Sequence, residues 1–299
     1  MNSELYPLTL EPIVIEQFWR RTEQSFLDEA IPREFTQGTL WMATENSRIS
    51  AGPQSGRSLA YLKQTWGSDL VGSSLGGDLN GPIPVELKLK RTGENATAVA
   101  LTEDSLWYFL DAEEDSFINT GYLEGLDFEQ AAAEAGFDPQ RWAKFMPEYP
   151  AESGTCLMLP EMSPLLLGPG LAVAQISPPA RSLPQWPLPG RDPQALELAR
   201  ASRPPQWHKP DQTESGLIKF SHSERLKILM VTASEYSGMV SPEAATFIWP
   251  LSGQGRIRSR GPAPTTRLQP GKVTMLPAAL GRFTIESAGK MTFLYIEAR

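Results

Sequence analysis

Nine prolines crowd into residues 178–210 of this 299-residue protein. Proline lacks a backbone N–H and holds φ near −65°, so neither a helix interior nor a central strand can run through such a stretch. The segment reads as a linker, broken only by the short helical run DPQALELARAS. It divides the sequence into a longer first part and a shorter second one. At about 150 residues per domain, the length also suggests two domains. We place an N-terminal module at residues 1–200 and a C-terminal module at residues 211–299, whose first strand starts near Gly216.

Both parts carry strand signals. VELKLKR, from Val85, alternates apolar and charged residues, and LWYFL is a short apolar run between Asp104 and Asp111. CLMLP and LLLGPGLAVAQI continue the pattern. After residue 216, short strands alternate with glycine and proline turns, such as GQG at 253–255 and QPG at 269–271, as in a compact β-barrel. Two helices interrupt the strands. SLAYLKQTWGSDL (58–70) has Ser58 as N-cap, Leu59, Leu62 and Trp66 on one face, and Gly72 as its stop. FEQAAAEAGF (128–137) ends at Gly136, while residues 12–31 mix both patterns. With 40% hydrophobic and 21% charged residues, the protein has enough apolar material for one or two cores. The fold class expected is mainly β, with a few short helices.

An internal repeat supports two similar modules. In GTCLMLP, Gly154 is followed by five residues and Pro160; in GKVTMLP, Gly271 is followed by five residues and Pro277. Each copy contains Met-Leu-Pro, and each precedes an apolar strand.

The G-x5-P spacing is part of the second cupin motif, and its context resembles the short bacterial class I mannose-6-phosphate isomerases (phosphomannose isomerases). YPLTLEPIVIEQFW, GTLWMATENSRISAGPQSGRSLAYLKQTWGSDLVG, LWYFLDAEEDSFINTGYLEGLDFEQAAAEAG, LLLGPGLAVAQIS, LSGQGRIRS and KVTMLPAALGRFTIES are similar, in order, to segments of that family. The resemblance implies two cupin modules, each a jelly-roll β-barrel. It leaves the opening strand free to pack on the C-terminal module, so the boundary in sequence need not be the boundary in space.

In the family a zinc-type metal is held by a glutamine and a histidine on one strand, a glutamate before the Trp-Tyr strand, and a histidine after G-x5-P. The resemblance puts Val99, Leu101, Ser105 and Leu165 at those places, and Arg282 at the equivalent histidine position of the C-terminal module. Val and Leu have no lone pair to offer a cation. A shifted alignment brings in Glu103 or Asp104 but no histidine, because His208 and His222 both come later. No metal cofactor is therefore expected. Two substrate-pocket residues are carried over: Lys88 in VELKL and Arg191 in PLPGRDP, the latter suited to a phosphate by its planar fork of donors.

Each candidate also has a plainer reading. Lys88 alternates with Glu86 and Lys90 as a solvated face would, and Arg191 sits in a proline-rich loop. His208 and His222 read as exposed residues, Glu103 and Asp104 as turn carboxylates. Cys156, the single cysteine, reads as a buried core thiol, and Trp41, Trp107 and Trp249 as core.

The net charge of −8, unblocked into tails, argues against a nucleic-acid surface. MNSELYPLTLEP lacks the pattern of a signal peptide, and no apolar run reaches the length of a membrane span. A cytoplasmic protein with a sugar or sugar-phosphate ligand is the expectation, its oligomeric state open. Three functions compete: a non-catalytic binding or regulatory protein, an active sugar-phosphate aldose–ketose isomerase using a rearranged or metal-free site (or another metal-free activity in the same pocket), and an interaction protein using its outer surface.

Overall fold

The structure, a computed structural model, describes residues 5–18, 37–75, 82–99, 104–136, 138–161, 163–179, 205–208, 216–221, 225–259 and 264–298. The protein is mainly β, with antiparallel sheets and short helices, as a cupin-type fold requires. In the first module a seven-stranded sheet runs in the order Gln206–His208, Cys156–Leu159, Ser105–Ala112, Leu171–Ser177, Glu86–Arg91, Gln37–Ala43, Ile13–Phe18. A four-stranded sheet faces it, ordered Thr97–Val99, Leu165–Leu167, Phe117–Thr120, Glu148–Pro150. In the second, an eight-stranded sheet is built around the long strands Leu226–Met239 and Arg282–Ala298. It also takes in Leu8–Thr9, which pairs with Thr274–Met275. The opening strand thus crosses to the C-terminal sheet.

Alternation along the strands sorts side chains into separate cores. From Ser105–Ala112, Leu106, Tyr108 and Leu110 enter one apolar cluster, while Trp107 and Phe109 enter another. Cys156 and Met158 part from Leu157 and Leu159 in the same way. The first cluster continues into the C-terminal sheet through Ile228, Met230, Phe247, Trp249 and Leu294, so the two large sheets share one core. The second cluster lies between the seven- and four-stranded sheets, inside the first barrel. A third fills the C-terminal barrel, with Ile248, Ile257, Leu276 and Phe293 among its members.

The G-x5-P repeat is a repeated turn. Gly154 and Gly271 have φ of 82° and 73°, the left-handed region that glycine enters without a Cβ clash. Each turn leads into a short strand, Cys156–Leu159 or Thr274–Leu276. Each proline then closes another turn: Ser163 N–H donates to Pro160 C=O at 3.2 Å, and Leu280 N–H to Pro277 C=O at 2.9 Å. Leu165 and Arg282 therefore occupy equivalent places, each opening the strand that follows.

Three local expectations need correction. Gln206–His208, within the stretch read as linker, is a strand paired with Cys156–Met158. It lies at the edge of its sheet, the one place where neighbouring prolines interrupt no ladder on the open side. The helix from Ser58 breaks at Gly67 (φ 53°) into Leu59–Trp66 and Ser68–Val71. Ser58 does cap it, accepting from Tyr61 N–H at 3.2 Å, but the buried face carries Lys63 with Leu59 and Leu62, and Trp66 is only partly covered. The helix Phe128–Ala135 forms as expected, its N-cap Asp127 accepting from the N–H groups of Glu129 and Gln130. The helical run read within the proline-rich segment lies outside the described residues. Among the described residues, no helix is long and apolar enough to cross a membrane.

Gly72 ties the two modules together. Its φ is 91°, and a Cβ there would lie 2.3 Å from the backbone carbonyl carbon and oxygen of Glu243. Beside it, Ser73 and Ser74 N–H donate to Pro242 and Glu243 C=O at 3.2 and 3.0 Å. Gly56 has a similar φ of 79°, but a methyl group there would meet nothing within 4 Å. Gly72→Ala should cost at least about 3 kcal/mol in urea unfolding, against about 1–2 kcal/mol for Gly56→Ala, where only the backbone conformation is penalised. Equal losses would mean that the close approach to Glu243 does not matter.

Candidate functional site

The inner face of the first barrel's large sheet is defined by one cross-strand row. Register pairs Trp41 with Lys88, Lys88 with Gln175, Gln175 with Trp107, Trp107 with Leu157, and Leu157 with Trp207. Directly opposed residues of antiparallel strands share a face, so these six side chains form a band across the sheet. The band changes character along its length. Trp41, Lys88 and Gln175 form a polar end, and Trp107, Leu157 and Trp207 an apolar one.

At the polar end, Lys88 Nζ lies 2.7 Å from Glu86 Oε2 and 4.2 Å from the centroid of the Trp41 ring. The Lys88 and Glu86 side chains are 17% and 18% exposed, so Lys88 is not on a freely solvated face. A largely covered lysine held by a carboxylate and an aromatic face is a fixed cation at the wall of a barrel. Trp41 is correspondingly a partly exposed platform rather than core, whereas Trp107 and Trp249 are buried. Gln175 is buried, and its Oε1 has no hydrogen-bond partner among the described residues. A polar group left so is costly unless something else bonds it. Sequence reasoning missed Gln175. The signal was one amide in the otherwise apolar strand LAVAQIS, placed by alternation on the face opposite Ala174 and Ile176.

The apolar end holds the positions that the resemblance assigns to metal ligands. Leu165 is fully buried and packs in one cluster with Trp107, Phe109, Leu157, Leu159 and Leu167. Its registered neighbours are Val99 and Thr120, and Thr120 Oγ1 donates to Pro164 C=O at 2.8 Å. Ser105 is also fully buried, and its Oγ accepts from Trp107 Nε1 at 2.9 Å. Among the described residues no three His, Cys, Asp or Glu side chains gather in a group able to hold a metal.

Asp104 Oδ1 accepts from Glu161 N–H at 2.8 Å, the work of a turn carboxylate. His208 contributes its backbone to the edge strand beside Cys156. Arg282 is exposed. Arg191, Leu101, Glu103 and His222 lie outside the described residues.

Two antiparallel β modules with a G-x5-P turn in each, packed through their large sheets, have the architecture of a two-cupin fold. A scan of protein-family models and a search of curated proteins find no match to the sequence. Among solved structures the fold matches mannose-6-phosphate isomerases over nearly its whole length. The Bacillus subtilis mannose 6-phosphate isomerase is 18% identical with a TM-score of 0.70, covering 98% of this protein and 99% of its own length. A putative mannosephosphate isomerase from Archaeoglobus fulgidus is 13% identical with a TM-score of 0.72, covering 100% and 99%. A zinc-bound mannose 6-phosphate isomerase is 11% identical with a TM-score of 0.68, covering 98% and 99%. At these identities the similarity is one of fold.

Cys156 lies in the core shared by the two large sheets, and burial pushes its thiol up to about 12. The native thiol should resist a disulfide reagent such as DTNB near about pH 8 and react only on unfolding. The sign of the linkage follows. Between the ordinary value of 9.0 and about 12, the unfolded state loses a proton that the native state keeps. The thiol's contribution to stability should therefore fall as pH rises through that window. Fast native-state labelling would place Cys156 outside the core.

Proposed function

We propose that this protein is a mannose-6-phosphate isomerase-like two-cupin protein that works without a transition metal, as a non-catalytic binding or regulatory protein for a sugar or sugar phosphate. The observation that carries this reading is Leu165. It stands at the place where the resemblance calls for a histidine ligand, and it is packed in an apolar cluster. A catalytic zinc takes about three donors from His, Cys or carboxylate. The fully buried Leu165 offers none, and the Ser105 hydroxyl, already accepting from Trp107, is no substitute for a carboxylate. The metal does not fit Leu165 and Ser105, and aldose–ketose isomerisation uses it to polarise the carbonyl beside the carbon that loses a proton.

Recognition rests on the polar end of the barrel wall. Lys88 supplies a positive charge for a phosphate or a hydroxyl, and Gln175, the buried amide beside it in register, supplies an acceptor for a sugar hydroxyl once its side chain turns toward the ligand. Arg191 is the second anion-binding group in this reading. Glu86 holds Lys88 in place at 2.7 Å and also disfavours an anion beside it. The ligand is thereby oriented with its hydroxyls toward Glu86 and Gln175.

Purified protein should contain no stoichiometric zinc, nickel, cobalt or iron by elemental analysis, and should not interconvert mannose 6-phosphate and fructose 6-phosphate in a coupled assay. Mannose 6-phosphate should still bind by calorimetry, and Lys88→Met should weaken it by about tenfold, the loss of one charged hydrogen bond. Metal-dependent turnover would instead support an active isomerase, and absence of binding would leave only an outer-surface role.

The interior of the barrel gives a separate test. Chelators should leave the melting temperature unchanged. Leu165→His should lower stability by about 1–3 kcal/mol without added metal, because the imidazole would be buried among carbon atoms. A variant melting at the wild-type temperature would remove Leu165 from the apolar interior.

A further inference from the structure

The four-stranded sheet has a second face, turned away from the barrel interior. Register aligns Leu166 with Asn119 and Asn119 with Glu148 on that face. Beside them opens a hollow of about 560 Å³, bounded on one side by Glu94–Ala96 and on the other by Gln140, Ala143 and Lys144. Its volume is that of a small-molecule site, roughly 300–1,000 Å³, and its mouth is broadly open to solvent, so one face of an occupant would stay in water. Asn119 lines it, is 3% exposed, and its Oδ1 has no hydrogen-bond partner among the described residues. Phe117, Leu166 and Pro169 give the hollow an apolar wall.

We propose that this hollow is a ligand site for a small neutral polyhydroxylated ring, a monosaccharide in size and chemistry. Three carboxamides line it, those of Asn95, Asn119 and Gln140. Each offers one acceptor oxygen and one donor nitrogen, and a hydroxyl both donates and accepts, so the two chemistries match group for group. Asn119 Oδ1 is itself shielded in the structure, so the amide has to turn about its broad terminal torsion when the ring binds. A phosphate accepts far more hydrogen bonds than it donates, matches the amides poorly, and would meet the carboxylates of Glu94 and Glu148. An ammonium only donates, leaves the amide nitrogens unused, and meets Lys144. The carbon face of a sugar ring suits Phe117, Leu166 and Pro169. This site lies on the opposite face of the small sheet from Leu165 and Leu167, and does not depend on the function assigned to the barrel interior.

The test is a titration of the full-length, isotope-labelled protein with D-mannose as a neutral hexose, followed residue by residue by NMR. Saturable shifts should group at residues 94–96, 117–119 and 140–144, and should persist in Lys88→Met. Asn119→Leu should bind mannose at least about tenfold more weakly while melting at or above the wild-type temperature, since it removes a buried amide oxygen that no described protein group bonds. Gln140→Leu, at the exposed rim, should weaken binding in the same direction without touching the core. Shifts confined to the Lys88 and Gln175 face would overturn the proposal. So would an unstable Asn119→Leu, unaltered binding in both variants, no saturation at all, or displacement of mannose from these residues by inorganic phosphate or methylammonium.

Discussion

Each strand at the centre of the first module's large sheet sends alternate side chains into two different cores, because both faces of the sheet are covered. Leu106, Tyr108 and Leu110 go to the core shared with the C-terminal sheet, Trp107 and Phe109 to the barrel interior. Burying an apolar side chain of this size is worth roughly 1.5–3 kcal/mol, and a register slip of one residue would exchange the two sets. The sheet's position is therefore over-determined, and everything mounted on it inherits that rigidity. The cross-strand band from Trp41 to Trp207 keeps its alignment for this reason.

The same constraint accounts for the division of the barrel wall. Where Leu165 and Leu167 pack with Trp107 and Phe109, the interior is filled by carbon. Toward the strands Glu86–Arg91 and Gln37–Ala43 the inner face turns polar, and there Lys88 is held by Glu86 and Trp41. Polar groups survive on a covered face only with partners or at the rim. Gln175 stands at the transition, its Oε1 bonded to neither side among the described residues.

Sharing one core also explains why the modules do not divide in space as they do in sequence. Leu8–Thr9 joins the C-terminal sheet, and Gly72 admits the backbone of Glu243 at a distance no side chain would allow. Gln206–His208 turns back to the first sheet. Each crossing adds main-chain hydrogen bonds between segments distant in sequence, and these hold the two barrels by backbone as well as by apolar area.

Alternation, turn residues and the G-x5-P repeat are local properties, so the sequence by itself determined most of the strands, the helix near residue 128 and the paired turns, while the fold of two cupins was what the family resemblance implied. It also marked Leu165 as an aliphatic residue at an unusual place, and Cys156 as core. Pairing across the sheet is not local. Whether Lys88 faced solvent, that Trp41 would lie under it, and that Gln175 would stand between Lys88 and Trp107 depended on the register of four strands drawn from residues 37 to 177. The hollow beside Asn119 likewise required segments from residues 94 to 169 to converge on one face. Local pattern specifies which face a side chain takes on its own strand. Only tertiary packing specifies what stands opposite, because those contacts join segments whose separation in sequence has no periodic signal.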